Sequence, residues 1–290
     1  MTESRKGLLS GVLAYALWGI VAAYWRLLRH VDPIELVAHR AVWGLGAFGL
    51  LVVIAGQRSA LAAALREPRT VGVMLVSGSL LAVNWIVFVW ATVSGHLLEA
   101  SLGYFMNPLV SIALGTLVLR ERLRRLQWLA IALAAAGVAF LTWRAGRVPW
   151  VALVLAVSWG LYGLVRKIVR VEALVGSAIE TLLLAPIAVV YLALRGTAVE
   201  AGDPQTIALL VGTGVVTAIP LILFTVAARR LPLSTVGFLQ YLAPTGQFLL
   251  AVLAYGEPLA HDRLIAFVLI WIGLAAFSID LAQATRKRQI

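Results

Sequence analysis

Apolar residues run along this chain in long unbroken stretches rather than in alternation with polar ones. The stretches fall near 7–28, 34–55, 72–93, 98–119, 126–143, 148–167, 173–194, 206–228, 234–255 and 262–281. Each is close to the ~20 residues that cross ~30 Å of hydrocarbon at ~1.5 Å per residue. Strands of a membrane barrel would be about half as long and would alternate. The pattern predicts an all-α membrane protein of ten transmembrane helices, each satisfying its own backbone hydrogen bonds in lipid. Arg5 and Lys6 precede the first stretch. That stretch exceeds the roughly 7–15 residues of a leader's apolar core, so it reads as a membrane helix.

Charge then orients the helices. With the N-terminus in the cytoplasm, 17 Lys and Arg fall in inner loops and 6 in outer ones, Arg40 lying within a span. The inner set includes Arg58, Arg66 and Arg69, the cluster Arg120 to Arg125, Arg166, Lys167 and Arg170. The bias places both termini inside. The chain's 290 residues are 62% hydrophobic and 13% charged, which suits lipid and not a water-soluble core. The net charge of +11 is thereby a topology signal and not a nucleic-acid footprint. No cysteine is present, which removes disulfides, thiolate metal sites and a cysteine nucleophile. No cofactor and no metal are expected.

The two halves resemble each other. A shift of 136 residues carries Pro108 onto Pro244, Glu121 onto Glu257, Gly137 onto Gly273, and Asn84 onto Pro220. Earlier in each half the shift is slightly larger, and Trp18-Gly19 matches Trp159-Gly160. The halves divide at 1–145 and 146–290. Five spans is an odd number, so the second half enters the membrane inverted relative to the first. Such repeats suit alternating access about a midplane site.

The stretches AHRAVW (38–43), NW (84–85), GHLLEASLGYFMNPL (95–109), RERLRRLQWLA (120–130) and SWGLYGLVRK (158–167) resemble the RarD-type transporters. That family belongs to the EamA branch of the drug/metabolite transporter superfamily. The resemblance covers about Gly7 to Leu281. It implies ten helices in two inverted five-helix repeats, a central cavity, residence in a bacterial inner membrane, and export. It does not imply a substrate: the RarD-type name is linked to chloramphenicol sensitivity, and relatives in the superfamily export amino acids or other metabolites.

Depth along the spans selects the candidate site. Trp18, Asn84, Asn107, Pro108, Trp159, Pro220 and Pro244 all fall near the bilayer middle. Interrupted helices at matched positions of two halves point to a transporter's binding site. Pro108 and Pro244 each free a carbonyl four residues back, at Tyr104 and Gln240, and with Pro220 are the expected hinges. Tyr104, Asn107 and Ser111 share one helix face, as do Gln240, Pro244 and Gln247. These stripes are expected either to face each other across a cavity or to glue helices together. The substrate-binding set is then Arg40, Trp18, Asn84, Tyr104, Asn107, Trp159, Gln240, Tyr241 and Gln247.

Two charges lie inside spans at equivalent repeat positions, Arg40 in AHRAVW and Glu180 in AIETLL. Intramembrane charges are costly and should face protein or water. In the functional reading Arg40 attracts a carboxylate, while Glu180 binds an amine or a proton. In the bland one Arg40 snorkels outward and Glu180 hydrogen-bonds a neighbouring helix. His39 and Glu99 are further proton or charge candidates, Glu99 being explained equally by a helix N-terminus. Glu121 and Glu257 are expected to cap the helices that follow them. Ala130, Ala134 and Gly137 suggest close helix packing.

The expected function is secondary transport of a small polar metabolite, an amino acid or other zwitterion or organic anion. Permeation of a drug-like hydrophobic compound is the alternative, ahead of a channel or a scaffold. No Walker motif, H-E-x-x-H or G-x-S-x-G occurs, which argues against ATP hydrolysis and against an enzyme. The expected partners are that substrate and the bilayer, not nucleic acid; monomer and homodimer both stay open.

Overall fold

The computed structural model describes residues 3–93, 97–146, 150–195, 203–254 and 261–287, and they form helices joined by short connections. In chain order these are α1 (Glu3–Leu27), α2 (Pro33–Ile54), α3 (Arg58–Arg66), α4 (Pro68–Val93), α5 (Leu97–Leu117), α6 (Arg125–Ala145) and α7 (Trp150–Ile168). They continue with α8 (Ala173–Arg195), α9 (Pro204–Arg230), α10 (Leu233–Gln240), α11 (Leu242–Leu249), a π-helical turn (Leu250–Ala254) and α12 (His261–Lys287).

Among the described residues, eight spans are long and apolar enough to cross a membrane. The expected fourth and tenth spans hold shorter apolar helices, Leu102–Leu117 in α5 and Leu264–Asp280 in α12. Large apolar side chains such as Ile54, Leu117, Ile187 and Leu253 are exposed, as a lipid-facing surface requires. The chain is a multi-pass membrane protein.

Helix starts follow local chemistry. Asp32 accepts from the N–H groups of Ile34 and Glu35, and Asp203 from those of Gln205 and Thr206, each with proline at the first helical position. Three departures from the sequence pattern appear. α3 occupies a stretch read as loop. The ninth span is not one helix: it breaks at Tyr241, one turn before Pro244. The proline ring there crowds the carbonyl of Gln240, where α10 ends. α5 and α9, by contrast, run unbroken through Pro108 and Pro220, so only one of the three expected hinges interrupts its helix.

The packing is reciprocal between the halves. α1 packs on α9 and on α10 and α11, and its counterpart α7 packs on α4 and α5. α2 packs on α9, and α8 on α4. The remaining main contacts pair equivalent helices: α2 with α8, α5 with α10, and α6 with α12. At the α6–α12 crossing, a Cβ on Gly137 would lie 3.2 Å from the Ala266 carbonyl oxygen, and one on Gly273 would lie 2.9 Å from that of Ala130. The small residues expected to pack closely do so here, against the matched helix of the other half.

Candidate functional site

A cavity of about 270 Å³ opens among α1, α2, α4, α5, α7, α9, α10 and α11. Of the expected substrate-binding set, Trp18, Arg40, Asn84, Tyr104, Asn107, Trp159, Gln240 and Gln247 line it, and so does Pro244. Tyr15, Trp25, Trp85, Phe88, Thr217 and Leu221 complete most of its wall. The lining residues lie near the middle of their spans or toward the ends that the charge bias places outside.

Arg40 does not snorkel. Its Nε donates to the Thr217 hydroxyl on α9 at 3.2 Å. Its guanidinium lies 4.9 Å from the Trp25 ring and 4.5 Å from the Trp85 ring. Two aromatic faces and one hydroxyl thus hold the cation at the cavity wall, with guanidinium N–H donors left over for an anion. No acidic residue is among the described residues lining the cavity.

The polar stripes do both expected jobs. Gln240 Nε2 donates to Ser111 at 2.7 Å, tying α10 to α5 at the cavity floor. Asn84 donates to the Leu155 carbonyl and to Ser158 on α7, and Gln247 to the Trp18 carbonyl on α1. Asn107 and Gln240 are both buried, and each carries an amide oxygen with no hydrogen-bond partner among the described residues.

On the side that the charge bias places inside, the cavity is walled by a cluster of aromatic rings packed tilted and edge to face. Trp18 lies 5.3 Å from Tyr15 and 5.3 Å from Trp159, centroid to centroid. Trp159 lies 5.1 Å from Phe224, which stacks on Tyr162 at 5.7 Å. Trp18 and Trp159, matched across the halves, meet here as the centre of the plug.

Several expected site residues lie elsewhere. Tyr241 is buried with Leu102, Phe105, Phe267 and Ile270 between α5 and α12, its hydroxyl donating to the Phe105 carbonyl at 3.3 Å, and it is not in the cavity wall. Pro220 lines a separate apolar groove between α1 and α9, and Pro108 is not in the cavity wall. His39 is buried beside Glu35 at 3.5 Å. Glu180 lies outside the cavity and pairs with Arg166 at 3.5 Å, while Ser77 donates to the same carboxylate oxygen at 2.5 Å. Glu180 is thus held by neighbouring helices and not by the cavity, and Arg166, read as a loop anchor, is fully buried. Glu121 caps α10 of the other half rather than the helix that follows it: its carboxylate accepts from the N–H groups of Leu233 and Ser234 and from the Ser234 hydroxyl. Glu257 lies outside the described residues, as does the Glu99 side chain in the first turn of α5.

Comparison with known proteins identifies the family. The EamA-like transporter family matches residues 5–143 and again residues 148–279. Protein RarD of Escherichia coli is 44% identical, over 98% of this chain and 98% of its own length. An uncharacterized transporter of Pseudomonas aeruginosa is 46% identical over 98% of this chain and 96% of its own. The same organism's chloramphenicol-sensitive protein RarD is 33% identical over 99% and 98%. One solved crystal structure shares the fold, with a TM-score of 0.74 at 23% identity over 96% of this chain and 98% of that one. Matched twice by the family and closely similar to RarD along nearly its full length, the chain belongs to the EamA-like transporter family, in its RarD-type branch.

Proposed function

We propose that this membrane transporter is a secondary carrier for a small organic anion or zwitterion, such as an amino acid, which it exports by alternating access across the bacterial inner membrane. It is a ten-span chain of two inverted five-span halves with both termini in the cytoplasm. The repeat is supported by the twofold family match and by the reciprocal packing of the halves. The orientation is supported by the bias of Lys and Arg toward one side.

One observation carries the substrate reading: Arg40 stands in the wall of a midspan cavity with donors to spare and, among the described residues, no acidic side chain in that wall. A cation so placed attracts a carboxylate or another anion, and steady partners on α9, α1 and α4 keep it from swinging to solvent. The cavity volume, just below the roughly 300–1,000 Å³ of ligand pockets, supports a small substrate. The aromatic cluster centred on Trp18 and Trp159 supports reading this as an outward-open arrangement.

A thermal-shift screen of the purified protein against amino acids and small carboxylates tests the reading. A ligand at about 100 times its Kd stabilises the state it binds by roughly 2.7 kcal/mol. Carboxylates should raise the unfolding temperature, and Arg40→Gln should cut the rise to about half or less. A second reading, permeation of a flat hydrophobic compound, is favoured by the aromatic wall and by the apolar groove that shares Val21 and Val216 with the cavity. Stabilisation by uncharged aromatic compounds that survives Arg40→Gln would establish it over the first.

A further inference from the structure

The Arg40 site has an inverted twin. A shift of 140 residues carries Arg40 onto Glu180 and also carries Ser77 onto Thr217. In the outer half Arg40 of α2 donates to Thr217 of α9. In the inner half Glu180 of α8 accepts from Ser77 of α4. The shift of 141 that carries Trp18 onto Trp159 carries Trp25 onto Arg166. Trp25 lies against Arg40, and Arg166 lies against Glu180. The two sites share one plan, yet the outer one faces the cavity and the inner one is sealed, with Arg166 and Glu180 side chains 0% and 1% exposed.

The seal is mechanically tied to the plug. Tyr162 and Arg166 stand one turn apart on the same face of α7, and both reach Glu180. The Tyr162 ring also stacks on Phe224 within the plug. Glu180 and Ser77 belong to α8 and α4. A movement of α7 that parts the plug therefore withdraws the phenol and the guanidinium together. A carboxylate left at this depth without its cation is costly, and the water that enters from the cytoplasm supplies a proton.

We propose that Glu180 is a second ion site, the inward-facing counterpart of Arg40, which exchanges the Arg166 guanidinium for a proton from the cytoplasm when the inner half opens. The proposal rests on the alternating-access reading above. The proton adds to one carboxylate oxygen, and Arg166 turns toward water with its charge unchanged. Because the proton binds only the inward-open form, cytoplasmic acid shifts the protein toward that form. Arg166 and Tyr162 face Glu180 from α7 and Ser77 from α4, while Met74 of α4 accepts from Arg166. Beyond Arg166 lies Arg229 of α9, which donates to the Val171 carbonyl and feels the charges of Arg166 and Glu172. α2 meets α8 beside Glu180 through Gly44 against Thr181, which brings no ionisable group. His30 and His39 are engaged elsewhere, with Thr206 and Glu35.

The cysteine-free chain accepts two spin labels without background. Lys6→Cys and Arg170→Cys, both at exposed positions, place them at the inner ends of α1 and of the α7–α8 pair. Double electron–electron resonance in nanodiscs from about pH 8 to about pH 5 approaches the range of a hydrated carboxylate. The ratio of long to short distances should rise with acid, by at most about tenfold per pH unit for one proton. E180Q should show the long distance at every pH, since it leaves Arg166 buried without a counter-charge. E180Q with R166Q leaves no unpaired charge and should lose the pH response. A wild-type distribution that ignores pH overturns the proposal, as does a response that persists in the double variant. If acid opens the inner half but no carboxylate stabilises the protein, the substrate reading falls and the proton site stands; the reverse pair of results removes the proton site alone.

Discussion

At the scale of single residues, the site turns on how a cation is kept inside a membrane. Arg40 is held by two indole faces and one hydroxyl, none of which neutralises it. Its charge is therefore available to a ligand, in contrast to Arg166, whose charge is spent on Glu180. Arg40→Lys should keep attraction but lose the flat stacking and the forked donors, because a compact ammonium cannot reproduce them. Carboxylate affinity should then fall about tenfold for Lys and about 10- to 150-fold for Gln, the latter following from roughly 1.5–3 kcal/mol for a hydrogen bond to a charged group. Titration calorimetry or thermal shift reads both. Much of this site was legible in the sequence, because Arg40, Trp18, Asn84 and Trp159 are unusual at midspan depth. Thr217 was not, since a threonine within an apolar run carries no signal until its repeat counterpart Ser77 is seen beside Glu180. Arg166 was hidden for another reason: at the inner end of a span, a basic residue looks like a topology anchor.

At the scale of elements, the two halves are tied by contacts that no single span predicts. Glu121 leaves the end of α5 and caps α10, so a carboxylate of the first half satisfies the free N–H groups that open the ninth span. Glu121→Ala should lower stability by about 1–2 kcal/mol through the lost cap, and Glu121→Gln by less, as seen in the thermal unfolding temperature. The α6–α12 crossing is as tight as its backbones allow. Gly273→Val would press a branched side chain on the Ala130 carbonyl and should cost about 1–3 kcal/mol, and Gly137→Val should behave alike at the Ala266 carbonyl. Span positions were readable to within a few residues, since apolar length is set by the bilayer. The break at Tyr241 was only half readable. Pro244 marked the carbonyl that would be freed, but Pro108 and Pro220 carry the same mark in helices that stay continuous, where surrounding packing decides.

At the scale of the whole molecule, the arrangement depends on a parity argument that labelling can check directly. A unit of five spans ends on the opposite side of the membrane from its start, so a second copy is inserted upside down. The basic loops then collect on one side only if that inversion holds: the connection after α5, which carries Arg122, and that between α7 and α8, which carries Arg170, must share a face despite belonging to different halves. Arg29, in the connection between α1 and α2, must lie on the other. Single cysteines introduced at these three positions meet no competing thiol. In intact cells whose outer membrane has been permeabilised, an impermeant maleimide should label the cysteine at position 29. It should reach positions 122 and 170 only after the inner membrane is opened as well. Labelling of 122 and 170 from opposite sides would leave Arg40 and Glu180 at the same depth instead of in opposite halves. The cavity and its sealed counterpart could not then exchange roles, whatever either one binds.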